Sequence, residues 1–282
     1  MSFFYLKNIF RQLTKGRLSF AGLIIIIFIL IISLSADYIA PYDPYEIDLE
    51  GRLSPPGKEH LLGQDDLGRD VLSRMIYGSR VSLQVGFFAV SISVIIGTSI
   101  GVISGYFGGW IDEITMRITD IFLAFPAMLL AIAVMAILGG SVINLIVALS
   151  IVGWKTYARL ARGQVLVEKE KDYVEALRAS GFGSFRIIFR HLLPNIIVPV
   201  IAAATIGMAV VIIQEAGLSF LGLGVQAPTP SWGAMLSEGH QYIVQAYHLT
   251  TFPGLAIMLT VLAFNFLGDG LRDMLDPRLR YD

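Results

Sequence analysis

The residues able to do chemistry in this chain fall in three places. The first is a charged stretch, Glu168 to Pro194 (EKEKDYVEALRASGFGSFRIIFRHLLP), which interrupts a very apolar sequence. The second is Glu215 beside Gln214, at the outer end of an apolar run. Acids inside a membrane are costly and mark pathways, so Glu215 is either a gate or pathway residue or an interfacial acid that pairs with Arg80 or reaches headgroups. The third is the run His60 to Asp70, whose acids could be taken for a Ca²⁺ loop. We expect instead a solvated loop with helix caps around Asp65 and Asp70. Other chemistry is missing. There is no cysteine, so no disulfide and no thiolate metal site. His60, His191, His240 and His248 lack ligand spacing. Gly51 to Lys58 is one residue too long for a phosphate loop and continues with Glu59. Gly222-x-Gly224-x-x-Ala227 follows an apolar run, not a strand. No nucleophile–base set is present, so we expect no enzyme and no cofactor on this chain.

The elements that position the charged stretch are two short helices with a hinge. Tyr173 to Ala179 has helix-forming composition. Gly181-Phe182-Gly183 breaks it, since glycine takes the left-handed backbone that ends helices. Ser184 is placed to cap a second helix, and Pro194 is placed to stop it. Phe185, Ile188, Phe189 and Leu192 follow helical spacing and form one apolar stripe, with Arg186 and Arg190 beside it and Ile187 roughly opposite. A helix this short must dock on something. It packs either on its own bundle and another protein, or on a membrane surface.

The rest of the chain is hydrophobic. Of 282 residues, 55% are hydrophobic and 15% charged, and mean hydropathy is +0.69. Soluble domains are nearer one quarter charged. The net charge of −1 argues against nucleic-acid binding. We expect six spans, at about 18–34, 81–103, 121–138, 142–157, 195–216 and 251–267. The first could be a signal peptide, given Ser33-Leu34-Ser35-Ala36; we expect an uncleaved span. Between Asp37 and Arg80 lies a polar outer loop. Gly97, Gly101 and Gly105 form a ladder that permits close helix packing. Gln84 and Asn144 are candidates for interior hydrogen bonds. With the N-terminus inside, the outer segments hold only Arg52, Lys58, Arg69, Arg74 and Arg80 of the 21 basic residues. The bias to the inner side puts both termini and Glu168–Pro194 in the cytoplasm.

Glu175-Ala176, Gly181 and Leu193-Pro194 fall at the spacing of the EAA loop of bacterial ABC importer permeases, which this stretch resembles. Leu177 and His191 depart from that pattern. His60–Asp70, Leu218–Gly233 and Leu267–Pro277 resemble the C-type subunit of dipeptide, oligopeptide and nickel permeases, and the likeness is strongest over 81–276. The resemblance implies an all-α integral membrane protein with six transmembrane helices and the type I importer permease fold. Residues 1–80 would carry the first helix and outer loop, and 81–276 the transport domain with its coupling loop at 168–194. It implies that Glu175, Ala176, Gly181, Arg186, Arg190 and Pro194 meet an ATPase, with ATP and Mg on that partner. The other implied partners are a second homologous permease, one or two ATP-binding subunits, an extracytoplasmic solute-binding protein and the lipid bilayer. The setting would be a bacterial or archaeal cytoplasmic membrane. Peptides are the expected cargo, with nickel or another solute as the alternative. An ion-coupled transporter, which wants midplane ionisable residues and broken spans, is the rival class.

Overall fold

The computed structural model describes residues 16–274, and no strand occurs among them. The basic residues Lys7, Arg11 and Lys15 and the tail beyond Met274 lie outside the described residues, so the expected likeness at Asp276-Pro277 does too.

Helix α1 (Arg17–Leu34) is apolar on every side and coincides with the expected first span. It packs on the last helix at Gly22, where a Cβ would lie 2.6 Å from Ala263 O. Helix α2 (Val71–Phe107) begins ten residues before the expected span. Its start is fixed by Asp70, whose carboxylate accepts the Ser73 N–H at 2.7 Å and so satisfies an orphan donor of the first turn. The boundary expected at Arg80 therefore falls inside α2.

The expected third span is two helices, α3 (Gly109–Ala124) and α4 (Ala127–Leu138), bent by 91°. Pro126 causes the break. It has no N–H to continue the ladder and pushes Phe125 to extended backbone, φ −84° and ψ 133°. Helix α5 (Val142–Glu168) runs well past its expected end at Tyr157. Arg162 makes this affordable by pairing with Asp112 of α3 through two 2.5 Å contacts.

After α6 (Asp172–Ala179) the chain forms one long helix, α7 (Ser184–Phe220). Pro194 does not stop it. Ile188–Leu192 forms a single π turn just ahead of the proline, and such a turn absorbs the missing N–H within a continuous helix. Ser184 is the first helical residue rather than the cap; Gly183 holds the cap position. Helices α8 (Trp232–His240) and α9 (His248–Asp273) complete the described chain.

Helices α1, α2, α7 and α9 are long and apolar enough to cross a membrane, and the bent α3–α4 pair makes a fifth span if counted as one. Helix α5 has 27 residues but carries Lys155, Arg159 and Arg162. The central seam is α2 against α5. Added Cβ atoms on Gly97 and Gly101 would collide with the Trp154 and Ala158 carbonyls, the close approach that small residues permit. Asn144 donates from Nδ2 to Leu138 O at 2.7 Å, closing the end of α4 onto α5. Gln84 is exposed, not interior. Facing outward are Phe28, Ile95, Ile137 and Leu259. Leaving such side chains in water forgoes about 1.5–3 kcal/mol each, so a lipid surround suits this exterior.

Candidate functional site: a charged exposed face and a cavity

Helix α6 ends as its sequence dictates. Gly181 sits at φ +78°. Its N–H donates to Arg178 O at 3.0 Å, and the Phe182 N–H to Leu177 O at 3.1 Å. This paired closure satisfies the last carbonyls of the helix, and Phe182 and Leu177 pack in one apolar cluster. The space beside Gly181 is open; an added Cβ would meet nothing within 4 Å.

The two helices are held from below. Val174, Ile187 and Leu192 are fully buried beside Val102, Ala161 and Val165 of α2 and α5. The apolar stripe expected along α7 is thus divided. Ile188 and Leu192 turn inward with Ile187, which belongs to the buried side, while Phe185 and Phe189 are 74% and 54% exposed. The π turn accounts for this, because it shifts the register of the face by part of a turn. Glu168 is a hub that sequence reasoning missed. Its carboxylate accepts from Lys171 Nζ at 2.6 Å, Tyr173 Oη at 2.9 Å and Asn195 Nδ2 at 3.0 Å. It thereby joins the end of α5 to both helices of the stretch.

The outward side holds all six residues singled out in the sequence: Glu175, Ala176, Gly181, Arg186, Arg190 and Pro194 are exposed. The exposed rings of Phe185 and Phe189, 4.4 Å apart, border an apolar groove with Ile95, Ile103 and Phe107 of α2. Arg186 stacks 4.7 Å over Phe182 and Arg178 lies 5.3 Å over Tyr106, at the end of α2. Exposed aromatics rimmed by charge are the make-up of a protein-docking patch.

Helices α2, α5 and α7, with Ala127 of α4 and Arg272 of α9, line a half-open cavity of about 470 Å³ whose wall includes Ser93, Lys155, Tyr157, Gln164 and Gln214. Gln214 borders this cavity. Glu215 is not among the cavity wall. It is fully buried and accepts hydrogen bonds from Ser82 of α2 at 3.2 Å and Ser219 at 2.9 Å, with the Ser231 hydroxyl at the start of α8 also bonded to it. Nor does it pair with Arg80, whose partner is Asp37 at 2.9 Å. Glu215 fastens α2, α7 and α8 together. Lys155 escaped the sequence reading because the fourth span was ended at Tyr157, which left the lysine at a helix end. In the structure it is midway along α5.

In the His60–Asp70 loop the acids expected to be solvated are buried, although Leu61 and Leu67 are exposed. Asp65 and Asp70 are 4% and 3% exposed. Arg74, 1% exposed, pairs with Asp65 and with Glu238 of α8 at 3.0 Å, and Arg69 pairs with Asp65 at 2.7 Å and Glu238 at 3.1 Å. The carboxylates thus face guanidinium groups, the arrangement of an ion-pair network. Asp70 does cap α2, as expected. Burial, together with the neighbouring Asp65 and Glu238 charges, raises the Asp66 carboxyl above its usual range.

A lipid-compatible helical bundle, with a charged exposed face at one end and a cavity among its helices, is the build of a membrane transport subunit. The chain belongs to the family described as binding-protein-dependent transport system inner membrane component, which matches residues 97–281. A second family, the N-terminal TM domain of oligopeptide transport permease C, matches residues 5–56. Among similar proteins is the dipeptide transport system permease protein DppC of Alkalihalophilus pseudofirmus, 47% identical over 97% of this chain and 90% of that one. The glutathione transport system permease protein GsiD of Pectobacterium atrosepticum is 44% identical over 97% and 91%. The fold is that of the inward-facing MetNI methionine ABC transporter, with TM-score 0.59 and 21% identity over 73% of this chain and 97% of that chain.

Proposed function

We propose that this chain is one of two permease subunits of an ATP-binding cassette importer for small peptides, in a bacterial or archaeal cytoplasmic membrane. The observation that carries the reading is the exposed face of α6 and the start of α7. It presents Glu175, Arg186 and Arg190 to a partner, on a stretch anchored from behind by Glu168 and by buried Val174, Ile187 and Leu192. On this reading the chain crosses the membrane six times, α3–α4 and α5 each counting as one span, with both termini and the coupling face inside. One or two ATPase subunits dock on that face and carry ATP and Mg. A solute-binding protein delivers cargo outside, and a second homologous permease closes the pathway. Closure of the ATPases moves the coupling face. The displacement reaches the cavity through α5 and α7, which line both. Peptide cargo is favoured by the dipeptide and glutathione permeases that this chain is similar to.

The test is reconstitution in vesicles with the neighbouring permease, ATPase and binding-protein chains. ATP-dependent uptake of a dipeptide is the expected result. Uptake that proceeds without ATP or ATPase would place the chain among ion-coupled carriers.

A further inference from the structure

Lys155 is a charged side chain inside an apolar bundle, 6% exposed, at the middle of α5. No carboxylate pairs with it among the described residues. Its one hydrogen bond runs from Nζ to Phe122 O, at 2.7 Å. That oxygen is free for a definite reason. In a continuous helix the N–H four residues on would take it, and that residue is Pro126, which has none. The lysine therefore holds the last turn of α3 at the break, where a cation also suits the helix dipole.

An ammonium has three N–H donors, and one is used. The residue lines the 470 Å³ cavity, whose wall includes Arg272 and no aspartate or glutamate. Two cations and several neutral polar groups face that space. An ionised lysine there lacks a counter-charge, and intramembrane charges of this kind mark solute pathways.

We propose that Lys155 is a cargo-contacting residue, whose ammonium receives the carboxylate of the passing solute on the cavity wall. The cargo's identity as a small peptide rests on the importer reading above. Fixed already to Phe122 O, the ammonium loses little freedom when the carboxylate arrives. The contact stays single and monodentate, so cargo can leave again, as transport requires.

The experiment compares binding of labelled alanyl-alanine and its C-terminal amide to the assembled permease–ATPase complex without the binding protein, and then ATP-driven uptake in the full system. The wild type should prefer the free carboxylate. Lys155→Met should weaken that binding by about 30-fold or more, the scale of losing one partner of a desolvated charge pair, and should bind acid and amide alike. Lys155→Arg, which keeps the charge, should keep the preference. Spin labels at Ile114→Cys and Ile137→Cys report the bend and should read the same distance in all three. Equal wild-type affinity for acid and amide would overturn the lysine's role even where uptake is normal. So would a changed bend with Lys155→Met and Lys155→Arg equally impaired, since the lysine would then serve the helix break alone. Carboxylate-selective binding with no ATP-driven uptake would uphold the lysine's role and count against the importer reading instead.

Discussion

Asp65 and Asp66 are neighbours with opposite prospects. Asp65 is buried against Arg69 and Arg74, so Asp65→Asn leaves Arg74 with Glu238 as its one acid partner and should cost about 1–3 kcal/mol. Asp66 is partly desolvated and faces two other carboxylates, which outweigh Arg69 at 3.6 Å, so the folded protein holds its proton more tightly than the unfolded chain does. Its contribution to stability is therefore greatest at low pH and falls as pH rises through the raised value. Asp66→Asn should accordingly be harmless or stabilising at neutral pH and flatten that part of the profile. Thermal unfolding of the detergent-solubilised protein across about pH 3–8 checks both (the range brackets the about 4 of an ordinary carboxyl). Gly181 separates backbone from partner effects. Its surroundings are open, so Gly181→Ala should cost only about 1 kcal/mol for its positive φ. Gly181→Asp puts a charge on the docking face, and ATPase co-purification should fall much further, with membrane insertion normal in both. Retention of the ATPase by Gly181→Asp would make the stretch a membrane-surface helix. Glu215, buried under serines, should tolerate Gln far better than Leu, which leaves those hydroxyls without an acceptor; assembly yield of the two variants reads this directly.

At the scale of elements, hydropathy reads the parts of helices that touch lipid and not the parts that touch polar loops. Spans one and six were legible for that reason. The early start of α2 depends on the local Asp70 cap, which was legible, and on buried Arg74 meeting Glu238, and the late end of α5 depends on Asp112 meeting Arg162; the last two pairings are remote in sequence. Gly181 as hinge was legible because its cause is local, and the split of the apolar stripe was not, because it depends on a π turn. The same blindness hid Lys155 and Glu168. The glycine ladder was readable as a close seam, and its energetics can be tested. Gly101→Leu should overpack the α2–α5 contact by about 1–3 kcal/mol or more. Gly163 is the control: it is helical and nothing lies near an added Cβ, so Gly163→Ala should stabilise by up to about 1 kcal/mol. Melting temperatures of the two variants give the comparison.

For the whole molecule, orientation is the open quantity, and the lack of native cysteine makes it measurable. Ser231 is buried and useless as a probe, whereas Val244 is 93% exposed in the segment before α9. A membrane-impermeant thiol reagent applied to intact cells should label Val244→Cys and spare Ser184→Cys; the opposite pattern would invert the proposed topology. Helix α7 carries a further consequence. Its 37 residues form a rod of about 55 Å, with Phe185 near one tip and Glu215, bolted to α2 and α8, near the other. A rod fixed at one end and pushed at the other pivots. Its stroke is largest at the docking face and shrinks steadily toward the outer bolt, so Gln214 should move far less than Pro199, and Pro199 less than Phe189. On the proposed importer reading the Glu215 end is then the fulcrum, and stiffness of the rod sets how much of the push arrives.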